Sequence, residues 1–267
     1  MTKIALTIAG SDSGAGAGIQ ADLKTFVMHQ VHGASVVTCV TAQNTVEVTQ
    51  VEGIDISLVR SQIEAVGSDL SVNAVKTGML LNSEIIEVVS RQVKQQNWQK
   101  LVVDPVMVSR AGAQLIDDKA IASLKNLLIS QALVVTPNRY EAQILSGMRI
   151  DNLAELKQAA IAIYETTGSI VLAKGGSLAD TERGTDIWYD GREVKTLFNQ
   201  TVNTKNTHGT GCTLSAAICA NLALGKELWQ SVVEAKDYVT NALKHSLDIG
   251  GGSGPVGHFF PLIKSDL

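Results

Sequence analysis

The sequence predicts an α/β architecture, with a mainly parallel central sheet, helices on both faces and a small β flap or hairpin. Three observations carry this. Short apolar runs, most of them rich in β-branched residues and closed by Gly, Pro, Asp or Asn, recur along the chain, as expected of strands buried on both faces. Between them lie stretches with apolar residues at helical spacing. Strands alternating with helices imply βαβ units and parallel pairing. Ligands on such sheets bind beyond the carboxyl ends of the strands, so the residues after each run matter most.

Ile4–Ala9 is the first strand, followed by a glycine-rich turn at 10–18. Ile19, Leu23, Phe26 and Val27 then mark one face of a helix over Gly18–Val31. Ser35–Val40 reads as the next buried strand, and Thr45–Val51 alternates with period two, which predicts a half-exposed strand. Ile86, Val89 and Val93 predict a helix over Ser83–Gln96; Leu156, Ala160 and Ile163 predict another over Leu153–Thr166. Leu101–Val106, Leu133–Thr136 and Ile170–Ala173 complete the buried strands. Thr185–Leu197 reads as an edge hairpin around Tyr189-Asp190-Gly191-Arg192, and Leu214 to about Gly225 as a helix of small residues. No linker composition interrupts the chain before the glycines at 250–254, so residues 1–267 are expected to form one domain.

The composition, 45% hydrophobic and 18% charged with only 4 Pro, excludes a disordered or Pro-rich chain. Aromatics make up 4%, too few for stacking platforms that read single-stranded nucleic acid, and a net charge of −4 has the wrong sign for a polyphosphate backbone. No run approaches the ~18 apolar residues of a membrane span. Three cysteines, Cys39, Cys212 and Cys219, show no metal-type spacing and suggest a reducing compartment, hence a cytoplasmic location.

Two glycine segments invite chemistry. The turn Gly10-Ser11-Asp12-Ser13-Gly14-Ala15-Gly16-Ala17-Gly18 follows a strand and opens a helix, but it fails the dinucleotide spacing and lacks the later acidic residue. It either packs helix on strand or lets a small ligand approach the backbone. Thr207-His208-Gly209-Thr210-Gly211-Cys212-Thr213 is sharper, because Gly-Thr-Gly exposes successive amides at a helix N-terminus, where a phosphoryl group is favoured. Cys212 in that field is expected to have a lowered pKa and a reactive thiolate; Cys39 and Cys219 read as buried thiols. Asp104, Asn138, Glu141 and Lys174 all follow predicted strands. Asn138 and Glu141 fit helix caps equally well. Taken together, carboxylates for hydrated magnesium, a lysine for phosphate and an amide loop are what phosphoryl transfer requires.

The segments A-G-S-D-S-G and G-I-Q-A-D-L-K near the start, A-Q-N-T at 42–45, K-T-G-M-L at 76–80, V-D-P-V-M at 103–107, T-P-N at 136–138, K-G-G at 174–176 and H-G-T-G-C-T-L-S-A-A at 208–217 together resemble the hydroxymethylpyrimidine/phosphomethylpyrimidine kinases of thiamine biosynthesis. The resemblance implies a ribokinase-like fold, ATP with magnesium, a homodimer, and two successive phosphorylations of a pyrimidine alcohol. By matching motif, Gln43, Gly10, Asp22, Met79 and Val106 resemble the pyrimidine pocket, with Gln43 reading the ring edge. Thr207, Thr210, Lys174 and Asn138 resemble nucleotide contacts, and Asp104 and Glu141 the magnesium-linked carboxylates. Cys212, with Gly209, Gly211 and Lys174, resembles the catalytic group, Cys212 standing where sugar kinases of the superfamily carry an aspartate. Position 15, glycine in many relatives, is alanine here, which is harmless provided that its φ is negative. The rival readings are a pyridoxal kinase of the same branch, a pyrimidine-binding sensor without catalysis and, more remotely, a thiol-redox role for Cys212.

Overall fold

A computed structural model describes residues 2–107 and 116–263. The elements run β1 (Ile4–Asp12), α1 (Gly18–Met28), β2 (His32–Gln43), β3 (Val48–Gly53), α2 (Ile56–Asp69), β4 (Ala74–Thr77), α3 (Ser83–Gln95), β5 (Leu101–Val103) and α4 (Asp118–Ser123). Then follow β6 (Val134–Val135), α5 (Arg139–Ser146), α6 (Leu153–Thr167), β7 (Ile170–Ala173), β8 (Thr185–Tyr189), β9 (Val194–Phe198), α7 (Thr210–Ala223) and α8 (Leu228–Lys244).

The strands form one sheet in the order β3-β2-β1-β4-β5-β6-β7-β8-β9. From β2 to β7 neighbours are parallel, while β3, β8 and β9 are antiparallel additions at the two edges. The chain moves outward from β1 to β2 on one side, then returns to lay β4 on the other. The carboxyl ends of β1 and β4 therefore flank a topological switch point, where an open α/β sheet leaves a crevice.

Successive side chains of a strand face opposite ways, and the two cores follow from this. Leu6, Ile8, Val75, Leu101, Val103, Val135 and Val171 pack with residues of α2 to α6. Ala5, Ala74, Val102, Val134 and Leu172 pack with α1, α7 and α8. Each fully buried Leu, Ile or Val contributes roughly 1.5–3 kcal/mol. From Thr213 to Ala223 every residue of α7 is buried, which explains its Ser, Ala and Cys content: a helix enclosed all round needs small side chains to approach the sheet. Its N-terminus is thereby fixed at the carboxyl edge of the sheet.

The sequence expectations hold for β1, α1, β2, α3, β7, the β8–β9 hairpin and α6, with shifts at their ends. Strand β5 stops at Val103 and β6 has two residues. The expected half-exposed strand at 45–51 is displaced to 48–53 and is exposed from Val48 to Glu52. Residues 44–47 instead form a turn, in which the Asn44 side chain accepts from the Val46 and Glu47 amides, and β3 lies at the sheet edge with no helix over it. Strand β4 and helices α2 and α8 have no counterpart in the sequence reading; α2 buries only Val59 and Ile63, too few to leave a readable stripe. Among the described residues no helix is long and apolar enough to cross a membrane.

Candidate active site

The ends of β1, β2, β4, β5, β6 and β7 bring Asp12, Gln43, Met79, Asp104, Asn138 and Lys174 to one edge of the sheet, beside the N-terminus of α7. Lys174 Nζ lies 3.1 Å from Asp104 Oδ1. Asp104 also accepts from Ser215 on α7 (3.3 Å) and Thr136 (3.4 Å). The α carbon of Gly211 faces this pair: a methyl group there would lie 3.4 Å from Lys174 Nζ and 3.8 Å from Asp104 Oδ2. Gly209, the N-cap of α7, has φ +82° and provides no side-chain cap; the Thr210 amide donates to the Thr207 carbonyl at 3.4 Å, and the Gly211 and Cys212 amides, which no helical carbonyl can satisfy, stay available to an anion. Gly209 also abuts the Gly16 carbonyl so closely that a side chain would collide with it. The Thr210 hydroxyl donates to the Thr207 carbonyl (3.1 Å) and closes the loop.

Asn138 and Glu141 form a capping box on α5: Asn138 Oδ1 accepts from the Glu141 amide (3.0 Å) and Glu141 Oε2 from the Asn138 amide (2.7 Å). Their capping role is thus realised. Glu141 nevertheless borders the cluster. Burial pushes its carboxyl up to about 8 despite the nearby Lys174, and Asp104 adds to the shift.

Three expectations are corrected. Burial, reinforced by Asp22 and Asp104, outweighs the nearby Lys76 and the Gly18 amide and pushes the Cys212 thiol up to about 11, so it is protonated at neutral pH and not a reactive thiolate. Asp22 does not line the crevice. It is fully buried, bonded to Lys76 Nζ at 2.8 and 2.9 Å and to the Thr7 hydroxyl at 2.6 Å, and so supports the site from behind. Ala15 has φ +58°, the left-handed conformation that favours glycine. Its amide donates to the Asp12 carbonyl (2.9 Å) and its carbonyl accepts from Lys24 (2.7 Å), which hold it there.

In the first glycine turn the amides beyond Asp12 are not open to an anion either. Asp12 accepts from the amides of Gly14 (2.9 Å), Gly16 (3.1 Å) and Ala17 (2.8 Å), filling the anion-binding concavity with its own carboxylate. A side chain at Gly10 would meet Cys39 Sγ at 2.6 Å and Met79 Cβ at 3.8 Å, so Gly10 and Met79 are neighbours, and the Thr38 hydroxyl holds the Met79 carbonyl (2.7 Å). Val106, after β5, is half-buried.

Sequence reasoning missed Asp12, Lys76, His208 and Ser215 as parts of the site. Each lies within a motif, but nothing in the spacing places Asp12 against His208, 196 residues away.

The family model described as Phosphomethylpyrimidine kinase matches residues 12–257. The hydroxymethylpyrimidine/phosphomethylpyrimidine kinase of Synechococcus elongatus is 55% identical over 259 residues, covering 97% of this chain and 98% of that one. The enzyme of the same name from Bacillus subtilis is 45% identical, covering 96% and 94%. Among solved structures, an ADP complex of Bacillus subtilis pyridoxal kinase superposes with a TM-score of 0.93 at 36% identity, covering 99% of this chain and all of that one. The phosphomethylpyrimidine kinase of Clostridium difficile gives 0.81 at 40% identity, covering 91% and 100%. The architecture is that of the ribokinase-like fold.

Proposed function

The chain belongs to the phosphomethylpyrimidine kinase family and is a phosphoryl-transferring enzyme, and we propose that it uses ATP to phosphorylate hydroxymethylpyrimidine to its monophosphate and then to the diphosphate, in thiamine biosynthesis. The observation that carries this reading is the convergence of Lys174, Asp104 and the open N-terminus of α7 around Gly211. Catalysis of phosphoryl transfer is mostly positioning and charge neutralisation. The Gly209–Cys212 loop, through the amides of Gly211 and Cys212, receives the transferring group, Lys174 neutralises phosphate oxygens, and Thr207, Thr210 and Asn138 border the nucleotide. Gln43, Gly10, Met79 and Val106 hold the pyrimidine. In each step the substrate oxygen attacks the terminal phosphorus as the bond to the ADP oxygen breaks; in the first the alcohol proton passes to water, and in the second the nucleophile is already an anionic phosphate oxygen.

Among the described residues no three His, Cys, Asp or Glu side chains form a cage for a metal. This donor set fits magnesium, which takes one or two carboxylates and otherwise keeps phosphates and waters as ligands. Asp104 and Glu141, whose charges oppose each other, would hold it, and it would supply positive charge to the phosphates. Cys212, a thiol at neutral pH, serves as a weak hydrogen-bonding partner in the loop. Its part is greater in the first step, where the nucleophile is an alcohol, than in the second, where it is already an anionic phosphate.

The same reading takes residues 1–267 as one domain and the enzyme as a homodimer; exposed Val46 (67%), Val48 and Val40 on the β2–β3 edge support an edge that a partner covers. A pyridoxal kinase is the second reading, favoured by the superposition on the Bacillus subtilis enzyme. Steady-state kinetics with ATP and magnesium on hydroxymethylpyrimidine, its monophosphate and pyridoxal separate the two. The pyrimidines are expected to have the higher kcat/KM, and a preference for pyridoxal by orders of magnitude overturns the proposal. In Cys212→Ala the first step should lose more than the second.

A further inference from the structure

Gln43 stands where two hydrogen-bond chains meet. In one, His208 Nε2 lies 2.9 Å from Asp12 Oδ2. Burial opposes ionisation of Asp12, but bonds from His208 and from the Ala17 and Gly14 amides outweigh it and hold the carboxyl below its usual range. A carboxylate only accepts, so the proton in this contact belongs to His208 Nε2. In the other chain the Thr41 hydroxyl donates to the Ser11 carbonyl at 2.9 Å and over a longer distance to Gln43 Oε1 at 3.2 Å, so its single proton is shared. The Gln43 amide bridges the two, with its nitrogen 3.3 Å from His208 Nε2 and its oxygen 3.2 Å from Thr41 Oγ1. That arrangement sets donor against donor at His208 and leaves the Gln43 oxygen only a share of the Thr41 proton. A half-turn of the amide exchanges the two atoms at no steric cost and removes the opposition of donors: the oxygen then shares the His208 N–H with Asp12, and the nitrogen donates to Thr41.

We propose that Asp12 and His208 lock Gln43 in this half-turned orientation and so make it specific for a ring edge carrying an amine beside an unprotonated nitrogen. The proposal rests on the reading of Gln43 as the pyrimidine contact. With both contacts made, the amide keeps one oxygen lone pair on the His208 side and one N–H on the Thr41 side. An aminopyrimidine offers the complementary pair, an amine N–H and a ring-nitrogen acceptor. The 4-oxo analogue offers a carbonyl beside a ring N–H, the reverse order, and to receive it the amide must turn back and set its own N–H against that of His208.

His208 is built to hold this position. Its ring lies against Gly16, where any side chain would collide with it. Its amide donates to the Gly254 carbonyl (3.1 Å) and its carbonyl accepts from the Val256 amide (3.2 Å). It is a positioning residue that acts through Gln43.

The test compares kcat/KM for hydroxymethylpyrimidine and its 4-oxo analogue. Both use the same ATP and the same phosphate loop, so damage to either cancels in the ratio. His208→Leu is expected to lower the amino-to-oxo ratio at least ~10-fold, the loss of roughly one hydrogen bond or more. His208→Gln, which still offers an N–H toward Asp12, should restore most of it. An unchanged ratio in His208→Leu overturns the proposal. Gln43→Leu separates the premise: if it too leaves the ratio at the wild-type value, Gln43 does not read the edge at all, whereas a collapse in Gln43→Leu alone refutes only the His208 lock. Long-range 15N correlation spectra of the unmodified protein give a check that needs no variant. They should show His208 Nε2 protonated, and an unprotonated Nε2 refutes the orientation.

Discussion

Replacing Lys76 by methionine removes one half of a fully enclosed ion pair. Lys76 and Asp22 are both 0% exposed, and the ammonium lies 2.8 and 2.9 Å from the two carboxylate oxygens. Burial alone would lower the Lys76 pKa, but Asp22 drives it upward, with Cys212 and Asp104 contributing. Methionine fills nearly the same volume and leaves Asp22 with only the Thr7 hydroxyl (2.6 Å). Breaking a buried pair from one side costs about 3–5 kcal/mol, because the remaining charge is uncompensated. In a chain of this size that lowers Tm by roughly 6–20 °C. The double variant Lys76→Met/Asp22→Asn removes both charges and keeps an acceptor for Thr7, so urea unfolding at neutral pH should recover at least ~2 kcal/mol relative to Lys76→Met. The deficit of Lys76→Met should also narrow as pH falls, since its lone buried carboxyl binds a proton more tightly folded than unfolded. A loss below about 1 kcal/mol, or a double variant whose cost is the sum of the singles, would show that the pair is not coupled in this way.

Two further outcomes follow from backbone and burial. His258, buried against the Thr213 hydroxyl at 2.9 Å, is pushed down to about 4, chiefly by burial; its folded pKa is depressed, so its contribution to stability is complete above the unfolded value of ~6.5 and is lost as pH falls toward 4. Wild type should lose ~3 kcal/mol more than His258→Gln over that window, at ~1.4 kcal/mol per pH unit, and parallel urea-stability profiles for the two proteins would refute this. Ala15→Gly should stabilise by ~0.5–1 kcal/mol, because relief of the left-handed alanine exceeds the added freedom of glycine in the unfolded chain; a lower urea midpoint for the variant would contradict it.

The loop that opens α7 was legible because its geometry is local: Gly-Thr-Gly before a run of small residues carries both the turn and the helix it opens. Lys174 and Asp104 were legible for a related reason, since each ends a buried strand and the polar edge of a parallel sheet is where such residues converge. The first glycine turn looked equally open, yet Asp12 folds back onto its amides, and no pattern of residue types distinguishes a turn that binds a ligand from one that binds its own carboxylate. Strand β4 escaped notice because Lys76, a charged residue, sits in its centre and is tolerated only through its partner on α1.

The sequence by itself determined the alternation of strands and helices, the placement of the chemistry at strand ends and the family. These depend on periodicity and on short motifs, which neighbours along the chain specify. Only the tertiary structure decided the protonation of Cys212, the burial of Asp22 and the partners of Gln43. Each is an electrostatic property, set by desolvation and by charges brought together from distant segments, and a one-dimensional pattern does not contain those distances.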